Sequence, residues 1–257
     1  MKVVILAGGY GTRIRDVAED IPKPMIPIGP YPILWHIMKT YSKFGITDFI
    51  ICLGYRGQAI KDFFLNYEAF TRDFTISLGD EGEVVYHNKH DEHNWNITLA
   101  DTGLRSMTGS RISRIKKYLN NEDFMITYGD GVSDINIDKL INFHNSHNKL
   151  LTVTGVRPPG RFGEMNSDSN GEVLEFNEKP QAHAGRISGG YFVASPKLFD
   201  YLDGDESLVF EQEPLREIVK DKELMMYRHD GFWQPMDTSR EYQLLNSLYD
   251  SGKAPWI

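Results

Sequence analysis

The fold is decided by Lys2-Val3-Val4-Ile5-Leu6-Ala7-Gly8-Gly9-Tyr10-Gly11-Thr12-Arg13. Its apolar, β-branched first half predicts a strand that is buried on both faces. The glycines that follow allow a tight turn and bring backbone N–H groups close to a ligand. Arg13 ends the loop, where a guanidinium can meet phosphate oxygens. The stretch therefore predicts a polyphosphate site, although a plain tight turn would also explain the glycines.

The spacing of these glycines differs from two well-known phosphate loops. Gly8-Gly9-Tyr10-Gly11 does not fit G-x-G-x-x-G, and no Gly-Lys-Ser/Thr follows it. A hydride-transfer enzyme or an ATPase therefore loses its main sequence support. The next segment, Pro22-Lys23-Pro24-Met25, holds a lysine between two prolines, which predicts a stiff, extended, non-helical backbone and an ammonium in a fixed place. The alternative is an ordinary solvated surface lysine.

Charge and cysteine content limit the partners and the compartment. The net charge of −8 disfavours nonspecific binding to nucleic acid or to an anionic membrane. The apolar run after Met1 ends at Gly8-Gly9, too early for a signal peptide. The single cysteine, Cys52, lies in an apolar run and is expected to be a reduced core residue. We therefore expect a cytoplasmic protein.

Hydrophobic periodicity predicts an α/β fold. A strand at residues 48–53 lies between helices at 33–44 and 58–70, and this βαβα order predicts a parallel sheet with right-handed crossovers. Short alternating runs between residues 74 and 101 predict a partly antiparallel elaboration. The remaining predicted elements are strands at 124–128, 150–156 and 191–194, a hairpin around Gly171, and helices beginning near Ile112 and at 138–147, 196–202 and 239–251. We expect one domain over residues 1–257.

Two aspartates follow apolar segments far apart in the sequence. Asp130 lies in Gly129-Asp130-Gly131, directly after the strand at 124–128, and the carboxyl ends of parallel strands are where open α/β sheets bind ligands. Asp237 lies in Met236-Asp237-Thr238, before the last predicted helix. The alternatives are a turn aspartate for Asp130 and a helix cap for Asp237.

Several motifs together resemble one family from nearly end to end. L-A-G-G-Y-G-T-R followed by P-K-P-M resembles the sugar-phosphate nucleotidyltransferases. Similarity to the glucose-1-phosphate cytidylyltransferase branch is carried by P-P-G-R-F-G (158–163), E-K-P (178–180), G-G-Y-F-V (189–193) and G-F-W-Q-P-M-D-T (231–238). The resemblance implies the nucleotide-diphospho-sugar transferase fold: a Rossmann-like, mixed, mainly parallel sheet flanked by helices, with a small antiparallel β elaboration. Residues 1–135 would mainly bind the nucleotide and 136–257 the sugar phosphate.

The same resemblance implies a set of site residues. Arg13, Lys23 and Asp130 would be catalytic, and Asp130 and Asp237 would hold Mg²⁺, which prefers carboxylate and phosphate oxygens. The nucleotide would be bound by Leu6, Ala7, Gly8, Gly9, Gly11, Thr12, Arg13, Lys23, Thr102, Gly103, Arg111 and Gly129. The sugar phosphate would be bound by Gly163, Glu178, Lys179, Ser188 and Gly189.

The implied reaction joins CTP to a sugar 1-phosphate, with α-D-glucose 1-phosphate as the first choice, and releases pyrophosphate. The implied protein is a homo-oligomer with no nucleic-acid or membrane partner. Ser188 departs from the Asn of the glucose branch, so another phosphorylated acceptor stays open. Another nucleotide also stays open, because the choice of cytosine rests on overall resemblance and not on a single residue. A non-catalytic regulatory protein and a dinucleotide-dependent oxidoreductase are the rival interpretations.

Overall fold

The strands supply a scaffold that places the candidate site at one edge of a sheet. The computed structural model describes residues 1–11, 14, 21–79, 82–158, 164–167, 170, 172–177 and 185–257, with the backbone alone at 164–167 and 175–177. The strands are β1 (Val3–Leu6), β2 (Pro27–Ile28), β3 (Tyr31–Pro32), β4 (Asp48–Leu53), β5 (Phe74–Ile76), β6 (Val84–Tyr86), β7 (Asn96–Asp101), β8 (Phe124–Tyr128), β9 (Gly131–Ser133), β10 (Leu151–Val156), β11 (Glu164–Ser167), β12 (Val173–Asn177), β13 (Ile187–Ala194), β14 (Leu224–His229) and β15 (Trp233–Pro235).

The main sheet has seven strands in the order β14-β10-β13-β8-β1-β4-β7. β1 lies at its centre and runs parallel to both neighbours, β4 and β8. β7 continues the parallel run, and β14 is parallel to β10. β13 is antiparallel to both β8 and β10. The sheet is therefore mixed and mainly parallel, as predicted.

Helices cover both faces of this sheet. The α-helices are α1 (Ile33–Ser42), α2 (Gly57–Leu65), α3 (Tyr67–Thr71), α4 (Thr108–Arg114), α5 (Ile137–Asn145), α6 (Glu213–Lys220) and α7 (Ser239–Asp250). Among the described residues, 3₁₀ helices span Lys23–Met25, Lys116–Tyr118 and Pro196–Tyr201. No helix in the described part of the chain combines the length and the apolar character needed to cross a bilayer.

Successive residues of β1 pack into different cores, because side chains alternate along a strand. Val3 and Ile5 belong to the cluster that includes Ile37 of α1 and Leu245 of α7. Val4 and Leu6 belong to the cluster on the other face, which includes residues of α4 and α6. Cys52 is buried in this second cluster as a free thiol, as predicted. β1 is therefore a central strand that is buried on both faces.

Four sequence expectations differ from the observed elements. The helix predicted over 58–70 is interrupted at Asn66 and forms α2 and α3. The run at 96–101 is a parallel strand of the main sheet, so only β5 and β6 form the antiparallel elaboration predicted there. The helix predicted at 196–202 is a 3₁₀ helix. The segment of α6, β14 and β15 was not predicted, because its strand residues are only half buried and lack a clean alternation.

Candidate active site

A cavity of about 200 Å³ lies at the carboxyl ends of β1 and β8. Its lining combines the glycine loop after β1, the Lys23 turn, the loop after β8 and the residue before the last helix. The lining residues are Leu6, Ala7, Gly9, Gly11, Ile14, Lys23, Pro24, Gly129, Asp130 and Asp237. Ligands of open α/β sheets bind at this edge. Eight of the residues implied by the family resemblance therefore surround one space.

The glycine loop is shaped by backbone constraints at two positions. Gly11 has φ +59°, a left-handed conformation that side chains rarely adopt. A side chain at Gly9 would meet no atom within 4 Å, so the backbone there faces open space. The N–H of Gly129 donates to the carbonyl of Leu6 over 3.0 Å, which joins the loop after β8 to the start of the glycine loop.

Lys23 lies between two carboxylates. Its Nζ donates to Asp130 Oδ2 over 2.6 Å and to Asp237 Oδ1 over 2.5 Å. Burial alone would lower the pKa of Lys23, but its bonds and charge interactions with Asp130 and Asp237 outweigh that effect and raise the pKa. Lys23 is therefore a protonated ammonium that joins the two aspartates.

The backbone at Lys23 corrects one expectation. Pro22 is extended, but Lys23–Met25 forms a 3₁₀ turn in which the N–H of Met25 donates to the carbonyl of Pro22 over 2.8 Å. The two prolines do not exclude this turn, because a fixed φ near −65° and a missing N–H are tolerated in the first turn of a helix. The prolines fix the position of the lysine, as expected, but through a turn.

A short ladder explains why two distant aspartates meet. β9 and β15 pair antiparallel, with Gly131 opposite Pro235. Beyond this pair, the N–H of Met236 donates to the carbonyl of Asp130 over 2.8 Å. The ladder therefore sets Asp237 beside the loop that carries Asp130.

Asp237 does not cap the last helix. The N-cap of α7 is Thr238, whose Oγ1 accepts from the N–H of Glu241 over 3.3 Å. The carboxylate of Glu241 in turn accepts from the N–H groups of Thr238 and Asp237. This capping box satisfies the helix terminus. The side chain of Asp237 contacts Lys23 instead, so the helix-cap alternative was wrong.

Arg111 is buried behind the glycine loop. Its guanidinium donates to the carbonyls of Gly8, Leu53 and Gly103 and to the hydroxyl of Thr102, over 2.8 to 3.1 Å. Burial lowers its pKa. A Cβ at Gly8 would lie 2.3 Å from the guanidinium, so the glycine permits this packing. In this arrangement Arg111 holds the ends of β1, β4 and β7 together, and its predicted contact with the nucleotide stays a prediction.

Thr102 and Gly103 follow β7 at the same edge of the sheet. Thr102 is buried, and its hydroxyl donates to the carbonyl of Leu53 over 2.7 Å. Gly103 has φ +93°, and its N–H donates to Asp101 Oδ1 over 3.0 Å. They lie beside Arg111 rather than in the cavity lining, and their contact with base and ribose stays a prediction.

Ser188 and Gly189 are the second and third residues of β13. Because β13 is antiparallel to β8, its first residues lie at the edge of the sheet where β8 ends. The register of the ladder with β10 shifts between Val153 and Gly155, so Gly189 lies in an irregular, bulged part of β13. The carbonyl of Gly189 accepts from Trp233 Nε1 over 2.8 Å. Both residues lie at the site's edge without lining the cavity.

Five expected site residues lie outside the described residues: Thr12, Arg13, Gly163, Glu178 and Lys179. Their roles stay predictions from the family resemblance. Sequence reasoning missed Ile14 and Pro24, which also line the cavity. Pro24 was visible only as a neighbour of Lys23, whereas Ile14 has no motif that separates it from core isoleucines.

The site can compensate negative charge more readily than it can hold a metal by itself. In the described part of the chain, no three His, Cys, Asp or Glu side chains converge on one point. Two carboxylates at one cavity fit Mg²⁺, which is held in proteins by one or two carboxylates with phosphate oxygens and water. Asp130 and Asp237 are therefore suited to a magnesium ion that arrives with a phosphorylated ligand.

Comparison with known proteins agrees with this geometry. A family model described as nucleotidyl transferase matches residues 2–243. The glucose-1-phosphate cytidylyltransferase of Salmonella typhi is 48% identical over 257 residues, which cover 100% of this chain and 98% of that protein. A probable glucose-1-phosphate cytidylyltransferase of Bacillus subtilis is 43% identical, with coverages of 100% and 99%.

Solved structures match the fold. HddC from Yersinia pseudotuberculosis superimposes with a TM-score of 0.67 at 23% identity, covering 96% of this chain and 99% of that one. A UDP-glucose pyrophosphorylase in complex with UDP-glucose gives a TM-score of 0.68 at 17% identity, with 98% of both chains covered. With a family model that covers most of its length and relatives above 40% identity, this chain belongs to the nucleotidyl transferase family.

Proposed function

We propose that this chain is a glucose-1-phosphate cytidylyltransferase, which joins CTP to α-D-glucose 1-phosphate and releases pyrophosphate. The observation that carries the chemistry is the cluster of Lys23, Asp130 and Asp237 beside the glycine loop. The 48% identity over the whole chain supports cytidine and glucose as the base and the sugar. Departure from Asn at Ser188 is why the acceptor needs its own test.

The reaction is an in-line displacement. An oxygen of the sugar 1-phosphate forms a bond to the α-phosphorus of CTP, the bond from that phosphorus to the bridging oxygen breaks, and pyrophosphate leaves with that oxygen. No general base is required, since the attacking oxygen is already ionised near neutral pH. The difficulty is electrostatic, because two polyanions must approach within bonding distance.

The side chains of this chain meet that difficulty by position and charge. Backbone N–H groups of the glycine loop hold the triphosphate. Lys23 places an ammonium at the reacting phosphate, and Asp130 and Asp237 would hold Mg²⁺. The chemistry that Mg²⁺ supplies when bound is neutralisation of phosphate charge. Arg13 would face the departing pyrophosphate, Lys179 the sugar phosphate and Glu178 the sugar hydroxyls.

Pyrophosphate release from a substrate panel tests the proposal. Four nucleoside triphosphates are combined with glucose 1-phosphate and with several other phosphorylated acceptors, with and without Mg²⁺. We expect CTP with glucose 1-phosphate to give the highest kcat/KM and EDTA to abolish turnover. Preference for another nucleotide or acceptor would replace the assigned substrates, and no pyrophosphate from any pair would refute the proposed function.

A further inference from the structure

A two-stranded hairpin, β5 and β6, carries exposed apolar residues. Phe74 and Ile76 of β5 and Val84 and Tyr86 of β6 lie on one face and are 36 to 47% exposed. Val85, on the opposite face, is 50% exposed. In the part of the chain that the structure describes, β5 and β6 pair with each other and with no other strand. An isolated two-stranded hairpin is only marginally stable in water, so a hairpin with this much exposed apolar surface is expected to pack against a partner.

The hydrogen-bond pattern shows which edge is open. The N–H of Ser77 donates to the carbonyl of Glu83, and that of His87 donates to the carbonyl of Asp73. Hydrogen-bonded and non-hydrogen-bonded residue pairs alternate in an antiparallel ladder. The backbone N–H and C=O of Val85 therefore also point towards β5. The backbone N–H and C=O groups of Val84 and Tyr86 therefore point away from β5. They form an edge that can accept another strand.

The sequence of this edge is complementary to itself. An antiparallel copy of β6 that pairs Val84 with Tyr86 of the second copy brings together the two outward-facing pairs of backbone groups. The same register sets Glu83 opposite His87 of the second copy on the other face, and it sets Val85 opposite Val85 on the two-fold axis. An acidic side chain before β6 and an imidazole after it thus meet in both halves, where a ring N–H can donate to the carboxylate.

We propose that β6 pairs antiparallel with β6 of a second copy of this chain, so that two hairpins form one four-stranded sheet. The order of polar side chains along the strand favours this occupant over others. With a net charge of −8, counted with neutral histidines, two copies repel on average, and hydrogen bonds from the His87 ring to the Glu83 carboxylate supply local attraction. The register also continues the apolar face from Ile76 and Val84 to Tyr86 and Phe74 of the second copy. This interface does not depend on the proposed reaction.

A cysteine on the two-fold axis tests the register. In this register the two copies of residue 85 form a non-hydrogen-bonded pair of the ladder. Their Cα atoms are about 4.5 Å apart, which suits a disulfide. We expect the full-length Val85→Cys variant to form a covalent dimer on oxidation. Thr75→Cys is the control: it lies opposite Val85 but one strand further from the axis, and its two copies are about 14 Å apart, three strand spacings. Cys52 is buried and gives little background.

Charge exchange tests the interface without a cross-link. Sedimentation of the wild type at micromolar concentration should give a dimer or a multiple of it. His87→Glu alone should weaken this association by about tenfold or more, because it sets two carboxylates opposite one another. Glu83→Lys alone should weaken it less, because it removes the carboxylate that accepts from His87 of the second copy. The double variant should restore it. A monomeric wild type, no excess cross-linking of Val85→Cys over Thr75→Cys, or a double variant no better than the singles would each overturn the proposal.

Discussion

Two of the contacts between the segment after β15 and the first half of the chain differ in polarity. Asp237 meets Lys23 at the cavity, where the two side chains are 24% and 11% exposed. Trp256 meets His36 in the interior, where both are nearly inaccessible, and its Nε1 donates to His36 Nδ1 over 3.2 Å. One contact is ionic and opens to a cavity, whereas the other is neutral and closed.

This difference separates chemistry from stability. Partly exposed ion pairs add little to folding free energy, because water solvates the charges well when they are apart. They can also exchange partners when a phosphate or a cation arrives. The indole of Trp256 is 1% exposed and stacks on Phe232 with centroids 5.5 Å apart, so its contacts are those of a closed interior. We therefore expect changes at Lys23 to affect rate and changes at Trp256 to affect stability.

The largest effect is expected for Lys23→Met. Losing an ammonium at the reacting phosphate should lower kcat about 10³-fold, or ~4 kcal/mol of barrier, while the protein stays folded. Initial rates of pyrophosphate release at saturating substrates measure this effect. Lys39→Met is the matched control, because Lys39 pairs with Glu92 away from the cavity and its loss should leave kcat unchanged. Near-normal turnover of Lys23→Met would remove Lys23 from the mechanism.

Trp256→Ala should act in the opposite way. Deleting a fully buried indole should lower the free energy of unfolding by about 3–4 kcal/mol, with kcat of the folded protein changed less than about twofold. Urea denaturation measures the loss. Ile257→Ala is the control, since Ile257 is exposed and its truncation should cost less than about 0.5 kcal/mol. Equal midpoints for the two variants would contradict a stabilising role for Trp256.

The sequence predicted the parts of the fold that are locally determined. β4 and β8 have the predicted bounds, because continuous apolar runs between polar turns mark central strands. Elements fixed by distant contacts were harder to assign. The place of β7 beside β4 depends on a parallel ladder between residues that are distant in the sequence. The helix is interrupted at Asn66 without a proline or glycine that would predict the break.

The sequence grouped residues that the structure places around one cavity, but it did not show how they are arranged there. Motifs grouped Asp130, Asp237 and Lys23 in one site, but no local pattern shows that the lysine lies between the aspartates. That position follows from the ladder of β9 and β15, which is a tertiary feature. Likewise, the family resemblance implies a nucleotide contact for Arg111, whereas its carbonyl partners come from the ends of three strands, which no local pattern shows.

Acid should weaken the interior contact through His36. Burial lowers the pKa of His36 to about 4. Its Nε2 bonds the Ile28 carbonyl while Nδ1 accepts from Trp256, so the neutral ring fits both. Between about pH 6.5 and pH 4 the unfolded chain binds a proton that the folded chain does not. The contribution of neutral His36 to the free energy of unfolding is therefore complete above pH 6.5, and it falls by ~3 kcal/mol by pH 4.

Denaturation midpoints measured across this pH range test the contribution of His36. The slope of stability against pH should be smaller in His36→Gln than in the wild type, since glutamine does not titrate. The comparison of slopes removes the effect of acidic groups common to both proteins. Parallel slopes would show that His36 is already protonated, or solvated, in the folded state.

The smallest expected effect concerns the stability of the contact between Lys23 and its two aspartates. Without Mg²⁺, Lys23→Met removes the ammonium that both carboxylates contact and should lower the free energy of unfolding by about 1 kcal/mol, a modest value because the pair is partly exposed. A divalent cation can then take the place of the ammonium between Asp130 and Asp237. Mg²⁺ without nucleotide should therefore raise the Tm of Lys23→Met by about 2–4 °C, more than it raises that of the wild type.

Thermal denaturation with and without Mg²⁺ checks this exchange in two further variants. Adding Asp237→Asn to Lys23→Met should remove the magnesium-dependent rise, whereas Lys39→Met should respond as the wild type does. A rise in the wild type as large as in Lys23→Met would mean that ammonium and cation do not compete for the carboxylates. A rise that survives in the double variant would mean that magnesium binds elsewhere. The first outcome would contradict the role of Lys23 as a counter-ion of the two carboxylates. The second would contradict the role of Asp130 and Asp237 as magnesium ligands.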